Sequence, residues 1–422
     1  MLQTIALALP FLAPSGATLP SGSVQIDLGR GPVTVQVPAG YDPTSPTPLV
    51  LLLHGFGGSG AQQEAYMQFG AFVDSHGFLY ATPDGTVNVQ GQPFWNGTDA
   101  CCDFGGTGID DSGYLRALID EIKGQFHVDP LRVHLIGHSN GHFMAYRMAC
   151  DHSDVLASVA GLAGATFDDP DDCAPTDPVH SLHLHGTADS VVLYGGGIFA
   201  GVTYPGAVAS VNQWVGLNGC DPAPDTSAPP LDLDASIPGP ETTVARFASA
   251  CAPGGAVERW DMIASDHSPF FTPQFAPAVL DWLFAHPKPE VGGAFCTPST
   301  NSSGFESGLV AWGSDALADA NLTLVAHNAP RNVFGVFFQG DAQVSSPVGD
   351  GSLCAGGTIQ RLNPPLSTGN DGEARRRVDF GAAYAAGYVA GVPVHYQFWF
   401  RDTAAGGTGF NFSEARTVLW QP

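Results

Sequence analysis

Positive charge is scarce in this chain. Its 422 residues hold 15 Lys and Arg against 40 Asp and Glu, a net charge of −25. A surface so acidic repels phosphate backbones and anionic headgroups, which excludes nucleic-acid binding and electrostatic docking on membranes. Charge of either sign is thin as well, at 13% of residues, about half of the usual share near 25%. Neutral substrates or neutral polymers suit that surface. After the first twenty residues no apolar run approaches the roughly 18 residues of a membrane span, so no transmembrane helix is expected. H-E-x-x-H and clustered C-x-x-C are both missing. That disfavours a zinc hydrolase, and no metal or cofactor is expected. No internal repeat is visible.

Apolar residues are plentiful at 44%, enough for a sizeable core in one large domain plus a smaller one. The 53 glycines and 34 prolines are scattered among apolar runs and read as folded loops. The eight cysteines are even in number and suggest disulfides in an oxidising compartment. The leading pairs are Cys150–Cys173, Cys220–Cys251 and Cys296–Cys354. Adjacent Cys101 and Cys102 then either bridge each other or break the scheme. The N-terminus, apolar to Leu12 and then rich in small residues, reads as a signal peptide over 1–20, although it lacks a positive n-region. The expected setting is secreted and extracellular.

Alternation around Gly29-Arg30-Gly31 predicts a hairpin over Ser23 to Pro38. Leu49–Leu53, Phe78–Thr82, Arg132–Ile136, Leu156–Leu162, Ser181–Leu184 and Val257–Ile263 are short apolar runs, the pattern of strands buried on both faces. Helices are expected over Gln62–Ser75, from Asp111 as N-cap to Phe126, and over Asn140–Cys150, Ala207–Leu217 and Pro273–Ala285. Alternating strands and helices imply a mainly parallel, doubly wound sheet. The Pro- and Asp-rich stretch from Cys220 to Pro240 reads as a loop insertion. After Pro287-Lys288-Pro289 short alternating strands take over, including Leu322–Ala326, Val333–Phe338 and His395–Phe400. The reading is a doubly wound α/β domain over 21–289 and an all-β sandwich over 290–422.

Gly137-His138-Ser139-Asn140-Gly141 matches G-x-S-x-G. In a chain so rich in glycine, chance alone gives roughly 0.4 such matches. Context carries the weight, because a predicted strand runs into the motif and a predicted helix leaves it. That geometry makes Ser139 a nucleophile on a strained elbow. Leu51-Leu52-Leu53 runs into His54-Gly55-Phe56-Gly57-Gly58, a strand ending in H-G-x-G-G. The backbone N–H groups of Phe56 and Asn140 are the expected oxyanion donors, with His54 bracing the loop. Ser181–Asp189 is a strand ending in H-G-x-x-D, which makes Asp189 the orienting acid. His267 follows the last predicted strand and serves as the base. The order Ser…Asp…His is that of the α/β-hydrolases. Asp266 is the rival acid, disfavoured because adjacent side chains point apart.

Taken as an ordered set, these motifs resemble the polyhydroxybutyrate depolymerase and feruloyl/acetylxylan esterase family of secreted esterases. The matching stretches are Leu53–Gly58, Trp95-Asn96 ahead of Cys101-Cys102, Asp110–Tyr114, Gly137–Gly141 with Met144–Arg147, His185–Asp189, Asn218–Cys220 and His267. They span about 22 to 286. The resemblance implies hydrolysis of carboxylic esters, on polymers or plant cell-wall polysaccharides, by Ser139, His267 and Asp189 without a cofactor. Two departures stand out: Ser265–Pro269 replaces a Gly-rich stretch with a following Trp, and His142 replaces a commoner Gly. His138 and His142, flanking the elbow, are expected to shape the pocket. Trp95 and Asn96 are expected at its rim, with a buried structural Trp as the alternative. The aromatics near the C-terminus, such as Trp312, Phe338 and Trp399, form either a core or a polymer-binding face. Two other functional classes remain: an acyltransferase on the same triad, and a non-catalytic polymer-binding protein on a hydrolase scaffold.

Overall fold

A computed structural model describes residues 22–381 and 388–422; the expected signal peptide lies outside the described residues. The first half is built on a nine-stranded sheet. Its strands are β1 (Gly22–Asp27), β2 (Pro32–Val37), β3 (Thr47–Leu53), β4 (Leu79–Ala81), β5 (Val128–His138), β6 (Ser158–Leu162), β7 (His180–Gly186), β8 (Thr242–Phe247) and β9 (Val257–Met262). Their order across the sheet is β1-β2-β4-β3-β5-β6-β7-β9-β8. The six strands from β4 to β9 pair in parallel, and β1, β2 and β8 are antiparallel margins. This is the α/β-hydrolase arrangement.

Every residue of β3 is buried because both faces of the sheet are covered. Leu49, Leu51 and Leu53 enter one core with Leu115, Met148 and Trp214. Val50 and Leu52 enter the other with Met67, Trp260 and Leu280. The covering helices are α1 (Gly60–Met67), α2 (Asp111–Gln125), α3 (Asn140–Asp151), α4 (Ala207–Leu217) and α5 (Phe275–Phe284). In α2 the apolar set Tyr114, Leu115, Leu118, Ile119 and Ile122 faces inward, as its spacing predicted.

Several expectations need correction. The helix expected over Gln62–Ser75 ends at Met67, where Gln68 turns left-handed at φ 60° and a 3₁₀ turn follows. The cap of α2 is Asp110, whose side chain accepts from Gly113 N–H; Asp111 is already helical. Strand β8 follows the loop of 220–240 and went unseen, because its alternation is broken by charged Arg246 and two threonines.

After Pro289 the described residues hold strands and short 3₁₀ turns. These strands are β10 (Gly293–Phe295), β11 (Gly308–Gly313), β12 (Leu322–His327), β13 (Phe334–Gly340), β14 (Ala342–Val348), β15 (Gly351–Gly356), β16 (Gln360–Ser367), β17 (Ala374–Arg377), β18 (Pro393–Arg401) and β19 (Phe410–Leu419). They form a five-stranded sheet β10-β19-β18-β13-β16, a three-stranded sheet β11-β12-β17 and the hairpin β14-β15. The two larger sheets share a core that includes Leu309, Leu324, Phe337, Tyr396, Phe398 and Trp420. All eight cysteines pair, as Cys101–Cys102, Cys150–Cys173, Cys220–Cys251 and Cys296–Cys354. No helix among the described residues is long and apolar enough to cross a membrane.

Contacts join the two halves. Lys288 Nζ donates to Ser153 O at 2.8 Å and lies over the Trp312 ring; burial pushes this amine down to about 8. Lys123 Nζ on α2 stands 2.6 Å from Glu373 Oε1, beside β17, with both side chains 2% exposed. Glu373 also pairs with Arg375, which keeps Asp371 as a second partner, whereas Lys123 has no other ion-pair partner among the described residues. Glu373→Leu therefore strands the Lys123 charge and should destabilise the chain by about 3–5 kcal/mol, and Glu373→Leu with Lys123→Met by much less. Urea denaturation measures both, and equal losses would show that the pair does not carry the effect.

Buried histidines set a second expectation. His134 and His138 are pushed by burial, and by neighbouring charge, down to about 3 and about 4; His142, His183 and His327 are lowered as well, chiefly by burial. Between pH 6.5 and 4 the unfolded chain binds protons at these sites and the folded chain does not. Stability must then fall as pH drops through this window, with uptake of roughly five protons on unfolding from these sites alone. Melting temperatures taken from pH 7 to pH 4 would expose a flat profile as contrary to this account.

Candidate active site

Strand β5 ends at His138 and helix α3 begins at Asn140, leaving Ser139 alone in the turn. Its backbone sits at φ 54°, ψ −120°, a conformation costing on the order of 1–3 kcal/mol. Crowding enforces the turn. A Cβ on Gly137 would stand 2.1 Å from Gly141 O, and one on Gly141 would stand 2.2 Å from Leu53 O. Ser139 N–H also donates to Leu162 O at 2.8 Å, which ties the elbow to β6.

Ser139 Oγ lies 3.0 Å from His267 Nε2, and His267 Nδ1 lies 2.8 Å from Asp189 Oδ2. The loops after β5, β7 and β9 bring the three together at the C-terminal edge of the sheet. Asp189 Oδ1 accepts from Val191 N–H and Val192 N–H at 2.8 and 2.9 Å. His185 Nε2 lies 3.3 Å from Oδ2. Burial pushes the Asp189 carboxyl up, yet hydrogen bonds from His185 and His267 outweigh it and hold the group well below the usual carboxylate range. An anion there accepts Nδ1–H and leaves the Nε2 lone pair aimed at Ser139. Asp266 Oδ1 instead accepts from Ser190 N–H at 2.9 Å and from His267 N–H at 2.8 Å, so it meets the backbone of His267 and not its ring.

The loop after β3 lies against the elbow: a Cβ on Gly55 would be 3.4 Å from Ser139 Cβ. Among the described residues neither Phe56 N–H nor Asn140 N–H meets an acceptor. His54 Nε2 accepts from Gly85 N–H at 2.9 Å, so its proton is on Nδ1, which donates to Gly55 O at 2.8 Å.

Trp95 and Asn96 do not lie at a pocket rim. Trp95 is fully buried, and its backbone forms a two-way pair with the Asn140 amide, at 2.7 Å to Oδ1 and 2.8 Å from Nδ2. Trp95 Nε1–H donates to His54 O at 3.1 Å. Asn96 N–H donates to Asp111 Oδ2 at 2.7 Å and its side-chain amide to Ile109 O at 2.9 Å. The pair is a latch between the two loops that carry Phe56 and Asn140. His142 is also fully buried, stacked on Tyr146 at 4.6 Å and accepting from Gly164 N–H, so it does not line a pocket. Its ring fills the space over Gly161, where a Cβ would come within 1.9 Å. His138 donates from Nε2 to His267 O at 3.1 Å and holds the loop of His267 from below.

Sequence reasoning missed a buried chain behind Asp189. His185 Nε2 faces Val192 O at 2.8 Å, so it must carry the proton. His185 Nδ1 then accepts from His183 Nε2 at 3.1 Å, and His183 Nδ1 accepts from Tyr146 O–H at 2.9 Å. The available signal was the i, i+2 spacing of the two histidines, which puts both on one face of β7. An aromatic edge was missed too. Phe56 packs on Phe104 at 5.5 Å, and Phe104 on Phe199 at 6.5 Å. Phe104 is 52% exposed, and Phe270, three residues beyond His267, is 76% exposed.

The fold and these three side chains define an α/β-hydrolase with a serine–histidine–aspartate arrangement. No family model matches the chain. Feruloyl esterase B of Piromyces equi is 33% identical over 208 residues, covering 47% of this chain and 37% of that protein. Poly(3-hydroxyalkanoate) depolymerase C of Paucimonas lemoignei is 29% identical over 174 residues, 38% of this chain and 40% of that protein. A bifunctional acetylxylan esterase/xylanase of Neocallimastix patriciarum is 28% identical over 162 residues, 38% of this chain and 22% of that protein. The match therefore spans two fifths or less of these relatives' own lengths. Their names are those of the family that the motifs around Ser139 resemble.

Because Asp189 meets the ring and Asp266 only the backbone, Asp189→Asn should lower turnover by roughly 10⁴ and Asp266→Asn by far less. Steady-state kinetics on a soluble ester decides between them; the reverse ranking would make Asp266 the orienting acid.

Proposed function

We propose that this chain is an extracellular serine carboxylic ester hydrolase acting on polymer-linked or short-chain esters. The observation that carries the reading is the unbroken hydrogen-bonded line from Ser139 Oγ through His267 to Asp189. Ser139 Oγ attacks the acyl carbon while its proton passes to His267 Nε2. The resulting oxyanion is held by Phe56 N–H and Asn140 N–H, each donor being worth about 10²–10³ in rate. Collapse releases the alcohol, protonated by His267, and leaves an acyl-Ser139. Water then attacks this ester with His267 again as base, and the acid departs.

The relatives bear the names of feruloyl, acetylxylan and poly(3-hydroxyalkanoate) ester hydrolases, which supports a polymer-bound ester. The edge formed by Phe56, Phe104 and Phe199 supports an acyl group with an apolar or aromatic body. Four disulfides support an oxidising, extracellular setting. We read 21–289 as the esterase domain and 290–422 as an accessory β-sandwich.

Wild type and Ser139→Ala would be assayed on polyhydroxybutyrate and its oligomers, methyl ferulate and acetylated xylan. Wild type should cleave one class, and Ser139→Ala should lose roughly 10⁴–10⁶ of that turnover with its fold intact. Near-normal activity in the folded variant would remove Ser139 as nucleophile, and silence of wild type on all substrates would count against the ester reading.

A further inference from the structure

The chain has 15 cationic side chains, all of them among the described residues. Ten form ion pairs. Lys288, Arg376 and Arg377 donate to backbone carbonyls. The remaining two, Arg361 and Arg401, are exposed and have no acidic or hydrogen-bonded partner among the described residues. Both border the same groove of about 870 Å³ on the outward face of the five-stranded sheet.

The groove is a consequence of strand alternation. On β13, β18 and β16 the residues Phe337, Phe398 and Leu362 point into the shared core. Their neighbours of opposite parity, Phe334, Phe338, Trp399 and Arg361, point outward. Phe334 is 61% exposed and Trp399 half-buried. Phe338 is in register with both Arg361 on β16 and Gln397 on β18, and Arg401 lies four residues beyond Gln397. Two strand spacings and four residues put the arginine Cα atoms roughly 16 Å apart across the groove. An extended ligand suits that separation better than one small anion.

We infer that this groove binds a polysaccharide that is largely neutral and carries sparse carboxylate side groups. Ring faces such as Trp399 stack on sugar faces, and each guanidinium takes a carboxylate in two-pronged fashion. A densely charged polyanion is opposed by the net charge of −25, whereas isolated carboxylates on a neutral chain are not. Two unpaired arginines would serve no purpose for a wholly neutral polyester. The groove is separate from Ser139, so this inference stands or falls independently of the ester chemistry.

The test uses the full chain carrying Ser139→Ala, so that no ester is consumed, in affinity electrophoresis and calorimetry. The probes are de-esterified xylan bearing glucuronic acid side groups, the same xylan with its carboxyls reduced to alcohols, polyhydroxybutyrate particles, an acidic peptide and anionic phospholipid vesicles. The acidic xylan should bind, and carboxyl reduction should weaken it about tenfold or more. Arg361→Gln with Arg401→Gln should match that loss, and Trp399→Ala should weaken both xylans. In an otherwise wild-type chain the arginine pair should leave hydrolysis of a small soluble ester unchanged, which verifies the fold. Equal binding of the reduced xylan, binding only to polyester, peptide or vesicles, or coverage of the groove by self-association in sedimentation would each overturn the inference.

Discussion

The elbow at Ser139 is the constraint on which the rest of the site depends. A strand buried on both faces must reverse into a helix within one residue, and the only way through is a left-handed backbone at Ser139 flanked by two glycines. The crowding is mutual: Gly137 touches the Gly141 peptide, and Gly141 touches the Leu53 carbonyl at the end of the neighbouring strand. The elbow therefore positions the loop after β3 as much as it positions Ser139. The Asn140 amide then grips the Trp95 backbone, and Trp95 holds His54. Strain in one residue is thus balanced by a latch that reaches both backbone donors.

The second organising feature is the surplus of hydrogen-bond donors at Asp189. Two backbone N–H groups and two histidines converge on one buried carboxylate. Burial alone would raise its pKa and neutralise it; the donors reverse that sign. Burial lowers the pKa of His183 behind it, and the ring-to-ring hydrogen bond joins His183 to His185. One carbonyl, Val192 O, fixes the tautomer of His185, and through it that of His183.

Much of this was legible beforehand. Strong period signals were read correctly: the apolar face of α2, the doubly buried β3, and the hairpin of β1 and β2. The strand–motif–helix context of Gly137–Gly141 and the chain order of Ser139, Asp189 and His267 were legible too, because local sequence dictates them. What failed shared a cause. Asn96 and His142 are expected at the pocket from their proximity in sequence to the elbow, and Trp95 either there or buried, but proximity does not say which way a side chain faces; Trp95 takes the buried alternative. Trp95 turns into the core because Asn140 and His54 offer its polar atoms partners there. His142 turns inward because Gly161, on a neighbouring strand, leaves the room. Asp110 caps α2 in place of Asp111, because Asp111 is drawn to Arg30, Thr86 and Asn96, none of them within the helix.

By itself, then, the sequence determined the class of fold, the order of Ser139, Asp189 and His267 along the chain and the loops that carry them, since periodicity, glycine placement and turn chemistry act over a few residues. Only the tertiary structure decided that Asp189 meets the His267 ring while Asp266 meets its backbone, which polar residues latch loops, and that Arg361 and Arg401 border one groove. Those outcomes depend on contacts between segments tens to hundreds of residues apart. Their free energies are set by packing and desolvation, which no local pattern encodes.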